Sequence, residues 1–351
     1  MRRTTKFAAV LSVGALSFAA LTACGSSSDD KATDGSSSPA KSDVKVGLAY
    51  DIGGRGDQSF NDMAAAGLDK AKKEFGVTAS ESEAASDESE SAKEDRLINM
   101  ADAGYNPIIA VGFAYSEAVG KVAPQYKDIK FAIIDDSANE GDNITNLVFA
   151  EEQGSFLVGA AAALKSKSGT VGFVGGVNTP HIQKFQAGYE AGAKAVNDKF
   201  VVKSTYLTQP PDFTGFGDPA KGKTAAAGEF DAGADVVFHA AGGSGTGVFE
   251  AAKAAGGKAI GVDSDQYLTA SADLKPVIMT SMLKHVDVAV YDFIKGFIDG
   301  SPMTGTHTFD LKDGGVGYST SGGQVDDIKS KLDDYAKQII DGTIVVPTTV
   351  K

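Results

Sequence analysis

Carboxylates placed just past hydrophobic strands are the residues of this sequence best suited to chemistry. Asp51 follows an apolar run at 44–50, Asp135 follows the run at 131–134, and Asp263 follows the run at 259–262. An ionised carboxylate only accepts hydrogen bonds, which suits sugar hydroxyls and ring N–H groups. The loop after Asp51, IGGRGDQSFND at 52–62, is glycine-rich and could cradle a phosphate on helix N–H groups. It lacks the Walker Gly-Lys-Ser/Thr ending, its spacing fails Gly-x-Gly-x-x-Gly, and Asp51, Asp57 and Asp62 disfavour an anion. Phe60 stands where an apolar ring either staples the coming helix or stacks on a ligand. Asp136 adjoins Asp135, and a carboxylate there either caps a loop or meets a ligand.

A second glycine loop, HAAGGSGTG at 239–247, precedes Asp263 and Asp265. Gly243 lies 20 residues before Asp263, as in a dinucleotide fingerprint, but Val248 stands where the third glycine should be. What survives is physical: a strand-end carboxylate beside glycine N–H groups suits a ribose diol. Lys284 ends the run at 280–284 and enters a helix, an unusual place for a cation given the helix dipole; it is either a surface lysine or a site residue. The loop at 209–219, QPPDFTGFGDP, exposes Phe213 and Phe216 among Pro and Gly, which is a better binding signal than Phe inside a helix. Enzyme signatures are missing. The four histidines are 22 residues or more apart, with no His-x-His or His-Glu-x-x-His and no Gly-x-Ser-x-Gly elbow. The expectation is a binding protein with no cofactor and no metal.

The elements that must hold these residues follow from pattern. Short β-branched runs alternate with amphipathic stretches of 10–15 residues from residue 44 onward, which means parallel sheets with right-handed crossovers. Strands are expected at 44–50, near 78, and at 107–111, 131–134, 145–149, 170–174, 201–207, 235–239, 259–262 and 277–281, with one or two more in 306–318. Helices are expected at 61–75, 87–103, 116–123, 154–164, 181–196, 219–231, 247–255, 286–298 and 324–340. Two successions make two doubly wound lobes, 44–151 and 152–280, each completed by part of 281–351. Ligands of such sheets sit beyond the C-terminal strand ends, so facing lobes would enclose one.

Composition narrows the class. The chain has 351 residues, 42 of them Gly, a formal net charge of −13 and a single Cys. The acidity opposes nucleic-acid binding, and one cysteine excludes a disulfide framework or a Cys-rich metal site. Arg2, Arg3 and Lys6 precede an apolar run at 7–21 that is too short to span a bilayer. That run ends in Leu21-Thr22-Ala23-Cys24, which resembles a bacterial lipobox, so residues 1–23 read as a signal peptide and Cys24 as the lipidation site. Removing 1–23 takes away three positive charges and no negative ones, leaving about −16. Residues 24–43, rich in Ser, Asp, Gly and Ala, read as a flexible tether. The expected location is the extracytoplasmic face of the cell membrane.

Several stretches together resemble the basic-membrane-protein (BMP/Med) family of bacterial substrate-binding lipoproteins, which includes purine-nucleoside receptors. They are 46–61 with its Asp-x8-Phe-Asn pattern, 131–135, EEQGSFLVGAAA at 151–162, VGFVGGVNTPHIQKFQAGYEAGA at 171–193, 216–223, 235–247, 260–266 and 280–287. The resemblance implies a type I periplasmic-binding-protein fold, α/β, with two Rossmann-like doubly wound lobes joined by a multi-strand hinge. It implies a nucleoside ligand passed to an ABC permease and its ATPase, by a monomer tethered to the membrane. Phe60 and a loop aromatic, Phe213 in preference to Phe216, would sandwich the base, and Asn61 and Asp135 (or Asp136) would read its edge. Asp51, Asp263 and Lys284 would hold the ribose, with backbone contacts from Gly243 and Gly245. A carboxylate at 135 favours a base bearing a ring N–H, such as hypoxanthine or guanine. The alternative is a binding protein or sensor of the same fold for another ligand, such as a flavin, a sugar or a signalling molecule.

Overall fold

A computed structural model describes residues 42–86 and 88–350. The expected signal peptide, Cys24 and almost all of the tether lie outside the described residues. Two six-stranded sheets organise the rest. The first sheet contains β1 (Lys45–Ala49), β2 (Thr78–Ser82), β3 (Ile108–Ala110), β4 (Phe131–Ile134), β5 (Ile144–Phe149) and β11 (Gly305–Phe309), in the order β11-β5-β4-β3-β1-β2. All its neighbours are parallel. The second contains β6 (Thr170–Val177), β7 (Val201–Thr208), β8 (Val236–Ala240), β9 (Lys258–Asp263), β10 (Ile278–Lys284) and β12 (Val316–Tyr318), in the order β12-β10-β9-β8-β6-β7. Only the β10–β12 pair is antiparallel. The central strands are wholly buried and, apart from His239, apolar, FAII in β4 and VVFHA in β8, because helices cover both faces of a parallel sheet.

The chain passes between the sheets more than once. It leaves the first sheet after β5 and enters α4 (Glu151–Lys165), which packs with the second sheet's strands and with α5 (Pro180–Val196). After β10 it returns through α9 (Val286–Ile298), which packs on α1 (Phe60–Phe75) of the first lobe. It then adds β11 to the first sheet and β12 to the second, and ends in α10 (Lys329–Ile340) against α4. The stretch expected to hold one or two strands near 306–318 thus supplies one strand to each lobe.

Several element limits differ from expectation, some of them at ends that bear on the cleft. Helix α4 starts at Glu151, not 154, and β10 runs on to Lys284, not 281. Strand β6 extends to Val177, while α10 begins only at Lys329, after a 3₁₀ turn at Asp326–Ile328. Helix α2 (Glu90–Asp102) is shorter than expected, because Ser89 caps it by accepting from the Ala92 N–H. Helix α7 (Gly245–Ala255) begins two residues early, whereas α6 (Pro219–Asp231) has the expected limits.

Helices α4 and α5 carry Glu151 and His181 in their first turns, so their mutual seating sets part of the cleft. They approach closely: a Cβ at Gly192 would come within 1.9 Å of the Phe156 carbonyl oxygen, and one at Gly188 within 2.2 Å of the Glu152 carbonyl. Gly192→Ala should therefore destabilise the protein by about 1–3 kcal/mol in urea unfolding. At Gly228, inside α6, an added Cβ meets nothing. Gly228→Ala should stabilise by about 0.4–1 kcal/mol through reduced unfolded-state entropy. Equal effects of the two substitutions would contradict the packing argument.

Candidate functional site

The C-terminal strand ends of the two sheets face one another around a cavity with about 500 Å³ of empty space, its mouth included. The first lobe contributes Asp51, Asp57, Phe60, Asn61, Phe113 and Asp135. The second contributes His181, Phe185, Phe216, Gly242 and Asp263, and Lys284 enters where β10 hands over to α9.

The turn between β1 and α1 is organised by Asp57. Its Oδ1 accepts from the Ser59 and Asp62 N–H groups at 2.9 and 3.1 Å, and its Oδ2 from the Asn61 N–H at 2.9 Å. Asn61 lines the cavity, but its amide is already engaged: Oδ1 accepts from the Asp51 N–H at 3.0 Å and Nδ2 donates to Asp57 at 3.0 Å. The structure therefore shows Asn61 bracing the loop that holds Asp51. Asp51 itself accepts from the Ile52 N–H at 2.8 Å and fits against Gly112, where a Cβ would come within 2.4 Å of its Oδ2.

Asp135 and Asp263 occupy equivalent places in the two sheets, one residue past β4 and at the last residue of β9. Both are left-handed, with φ of 65° and 63°. Such backbone is costly for a residue with a Cβ, and Asp tolerates it better than most. The adjacent Asp136 does not line the cavity; its carboxylate accepts from the Ala138 N–H at 3.2 Å and from Asn139 Nδ2 at 2.9 Å, closing its own loop.

A buried charge cluster backs the cavity. Lys284, 1 % exposed, donates to Asp135 Oδ2 at 2.5 Å and lies 3.5 Å from Glu151 Oε1. His181 Nε2 approaches the same two carboxylates at 3.2 and 3.7 Å. The ammonium also sits 4.9, 5.1 and 5.6 Å from the ring centres of Phe60, Phe149 and Phe185, within cation–π range. Its burial rules out the surface-lysine reading. Asp135, Glu151 and His181 bring metal-ligating atoms within 4.8 Å of one another, but Lys284 already places a cation against that pair of carboxylates.

Burial works on each acid differently. For Asp135 burial alone would raise the pKa, yet the Lys284 ammonium and the His181 ring beside it outweigh burial and hold the carboxyl well below the usual range. For Lys284 burial alone would lower it, and the Asp135, Glu151 and Asp263 carboxylates reverse that and raise it. Asp51 has no cation within ion-pair distance: burial pushes it up to about 7, against the opposing Ile52 N–H and the more distant Lys93. Burial pushes Asp263 up to about 6, opposed by Lys284 and the Ser59 hydroxyl.

Three expected contacts fall elsewhere. Phe213 is outside the cavity lining, with its ring 5.8 Å from Lys93 Nζ and edge-on to Phe113 at 5.9 Å. Phe216 takes the cavity place because its ring lies over Gly176 of β6, where a Cβ would come within 2.5 Å of it. Gly243 and Gly245 also miss the lining, which Gly242 joins instead. Position 243 faces Asp57 and the Phe216 carbonyl, and 245 lies under the His239 ring, 1.9 Å from where a Cβ would stand. Phe113, Glu151, His181 and Phe185 are additions. Glu151 opens α4 two residues past β5 and His181 is the second residue of α5 beyond β6, so both lie in strand-to-helix passages like those of the other site residues.

Two outcomes test this electrostatic picture. Lys284→Met removes the buried ammonium that Asp135 and Glu151 share, leaving His181 beside Asp135 and the less buried Lys184 3.6 Å from Glu151, and should cost about 3–5 kcal/mol at pH 7.5. Adding Asp135→Asn and Glu151→Gln should recover much of it, and a loss under ~1 kcal/mol in the single variant would contradict the assignment. For Asp51, a folded pKa raised above the unfolded one means stability is fullest in acid and lost as pH rises through about 7. Asp51→Asn keeps the acceptor for the Ile52 N–H and should raise the thermal midpoint more at pH 8 than at pH 5. An equal gain at both pH values would remove burial as the cause.

Comparison with known proteins agrees with this architecture. Residues 44–349 match the Bmp family model, described as ABC transporter substrate-binding protein PnrA-like. The ABC transporter nucleoside-binding protein BmpA of Lactococcus lactis subsp. cremoris is 33 % identical over 97 % of this chain and 98 % of its own. An uncharacterized lipoprotein of Pyrococcus abyssi is 37 % identical over 78 % of this chain and 69 % of its own. The crystal structure of an ABC transporter solute-binding protein from Aeropyrum pernix superposes with a TM-score of 0.74 at 30 % identity, covering 87 % of this chain and 94 % of that one. The fold is that of type I periplasmic solute-binding proteins. With the family model spanning both lobes, the chain belongs to the Bmp family of ABC transporter substrate-binding proteins, and it is a solute-binding protein, not an enzyme.

Proposed function

We propose that this protein captures a purine nucleoside, inosine or guanosine, between its lobes and delivers it to an ABC permease and ATPase from a lipid anchor at Cys24. The observation that carries the reading is the division of labour in the cavity. Phe60 and Phe216 supply apolar faces from opposite lobes, while Asp51, Asp135 and Asp263 supply hydrogen-bond acceptors from both. Aromatic faces suit a planar base, and acceptor carboxylates suit hydroxyls and ring N–H groups.

Charge separates nucleoside from nucleotide. The one buried lysine of the cavity is committed to Asp135 and Glu151, so a phosphate would meet acids with no free cation. Asp135, held ionised by Lys284 and His181, can only accept, which favours hypoxanthine or guanine, with a ring N–H, over adenine. The nucleoside-binding name of the Lactococcus relative supports the ligand class. The lipobox-like Leu21-Thr22-Ala23-Cys24 and the lipoprotein name of the Pyrococcus relative support the anchor on the extracytoplasmic face. On this reading Phe60 and Phe216 stack the base and Asp51 and Asp263 accept from the ribose, and the place of all four in the cavity lining supports the assignment.

Calorimetry with the full chain in detergent and inosine, guanosine, adenosine and cytidine tests this. Inosine or guanosine should bind with a Kd below ~100 μM, about −5.5 kcal/mol, and more tightly than cytidine. Failure of all four overturns the nucleoside reading, and mass spectrometry of the copurified ligand then identifies the class. Phe216→Ala should weaken binding by about fivefold or more, the scale of a lost base stack, whereas Phe213→Ala should leave it within about threefold. The reverse order would return the stacking role to Phe213.

A further inference from the structure

Ser59 stands at the N-cap of α1, where a serine side chain ordinarily accepts an N–H from the first turn. Here it makes no such bond, because Asp57 accepts the Ser59, Asn61 and Asp62 N–H groups in its place. The hydroxyl so released crosses the cleft. Ser59 Oγ donates to Asp263 Oδ2 at 2.6 Å and lies 3.3 Å from the Val262 carbonyl, in the other lobe.

The neighbouring residue reinforces the crossing. Gln58 is left-handed, φ 55°, and its carbonyl accepts from Ser264 Oγ at 2.6 Å and from Gln266 Nε2 at 3.1 Å. Gln266 is fixed in turn: its Oε1 accepts from the Val262 N–H at 2.9 Å and lies 3.0 Å from His239 Nε2, and its own N–H donates to Ser281. Gln58, Asp135 and Asp263 are the non-glycine residues with positive φ among the described residues. Two of the three face each other here, and backbone held in that region needs surroundings that determine it strongly.

Resting on the nucleoside reading, we infer that Ser59 is a positioning residue for ligand capture: its hydroxyl fixes Asp263 across the cleft, so that sugar-diol recognition and lobe closure share one carboxylate. Ser59 takes Oδ2, which leaves Oδ1 as the oxygen available to a diol in the cavity that Asp263 lines. The bond joins residues 204 positions apart on opposite lobes, so it forms only when the lobes meet. Before closure Asp263 has neither the hydroxyl nor its orienting effect. A ligand lacking the diol gains nothing from that orientation, and this separates positioning from a merely structural clasp.

The test uses the full chain in detergent, titrated with inosine and with 2′,3′-dideoxyinosine, in wild type, Ser59→Ala, Asp263→Asn and the double variant. Ser59→Ala should weaken inosine about tenfold or more, the scale of a hydrogen bond to a charged group, and dideoxyinosine by less than about threefold. The double variant should bind inosine no more weakly than Asp263→Asn alone, since both changes act through one carboxylate. Equal losses for the two ligands, or additive losses in the double variant, overturn the positioning role. Wild type that binds inosine, with Ser59→Ala unchanged, sinks this inference alone. Wild type that binds neither ligand sinks the nucleoside reading and this inference with it.

Discussion

One ion pair ties the rest of this structure together: Lys284 against Asp135, with Glu151 beside them. Each partner comes from a place where the lobes join or face each other. Asp135 ends a strand of the first sheet, Lys284 is the last residue of β10 before the chain returns, and Glu151 opens α4 as the chain departs. Burying these charges is costly, and a well-packed apolar cluster would commonly be no less stable. The arrangement therefore makes better sense as a device that fixes geometry. An ammonium held by two carboxylates and three aromatic rings has little freedom, so the strand end and the helix start that supply it are fixed in relation to one another.

From that constraint the acceptors of the cleft divide into two kinds. Asp135 keeps its charge because Lys284 and His181 face it, and its Oδ1 is buried with no hydrogen-bond partner in the protein. Asp51 and Asp263 lack an equally close cation and are pushed up by burial. The first kind discriminates, since a fixed anion rejects an acceptor facing it. The second is adjustable, since hydrogen bonds to the charged form lower a raised pKa again. A neutral ligand rich in donors satisfies both kinds at once, and an anion satisfies neither.

Much of this was legible in the sequence because strand ends in a parallel α/β fold are predictable from pattern. Asp51, Asp135, Asp263 and Lys284 all lie at the ends of runs that the alternation marks, and all reach the cavity. Glu151 escapes a reading from apolar periodicity, which starts only at Gly154, after the polar first turn of α4, and His181 reads as a helix start with no metal or catalytic spacing to mark it as a site residue. Phe213 and Phe216 share one loop and one residue type; what separates them is a bare glycine on β6 under one ring, a contact between distant segments that no local pattern encodes. Asn61 shows a further limit. Its position next to Phe60 was readable, but the engagement of its amide by Asp51 and Asp57 depends on how a ten-residue loop turns back on itself.

The glycine and acid excess that marks the composition has one explanation in these loops. A cleft built from strand ends needs the chain to reverse within a few residues while backbone and carboxylate come close. Gly112 leaves room for Asp51, and Gly245 leaves room for His239, which lies against Gln266 and so behind the cross-cleft contact to Gln58. Where no glycine is present, aspartate itself takes the left-handed backbone, at 135 and at 263. Those two residues then serve twice, as the turn and as the acceptor. Because the turn fixes the backbone and a cross-lobe partner fixes the side chain, each acid is oriented before a ligand arrives only to the extent that the lobes have already met. Closure and recognition are in this sense one event, governed by which lobe supplies each carboxylate's second hydrogen bond.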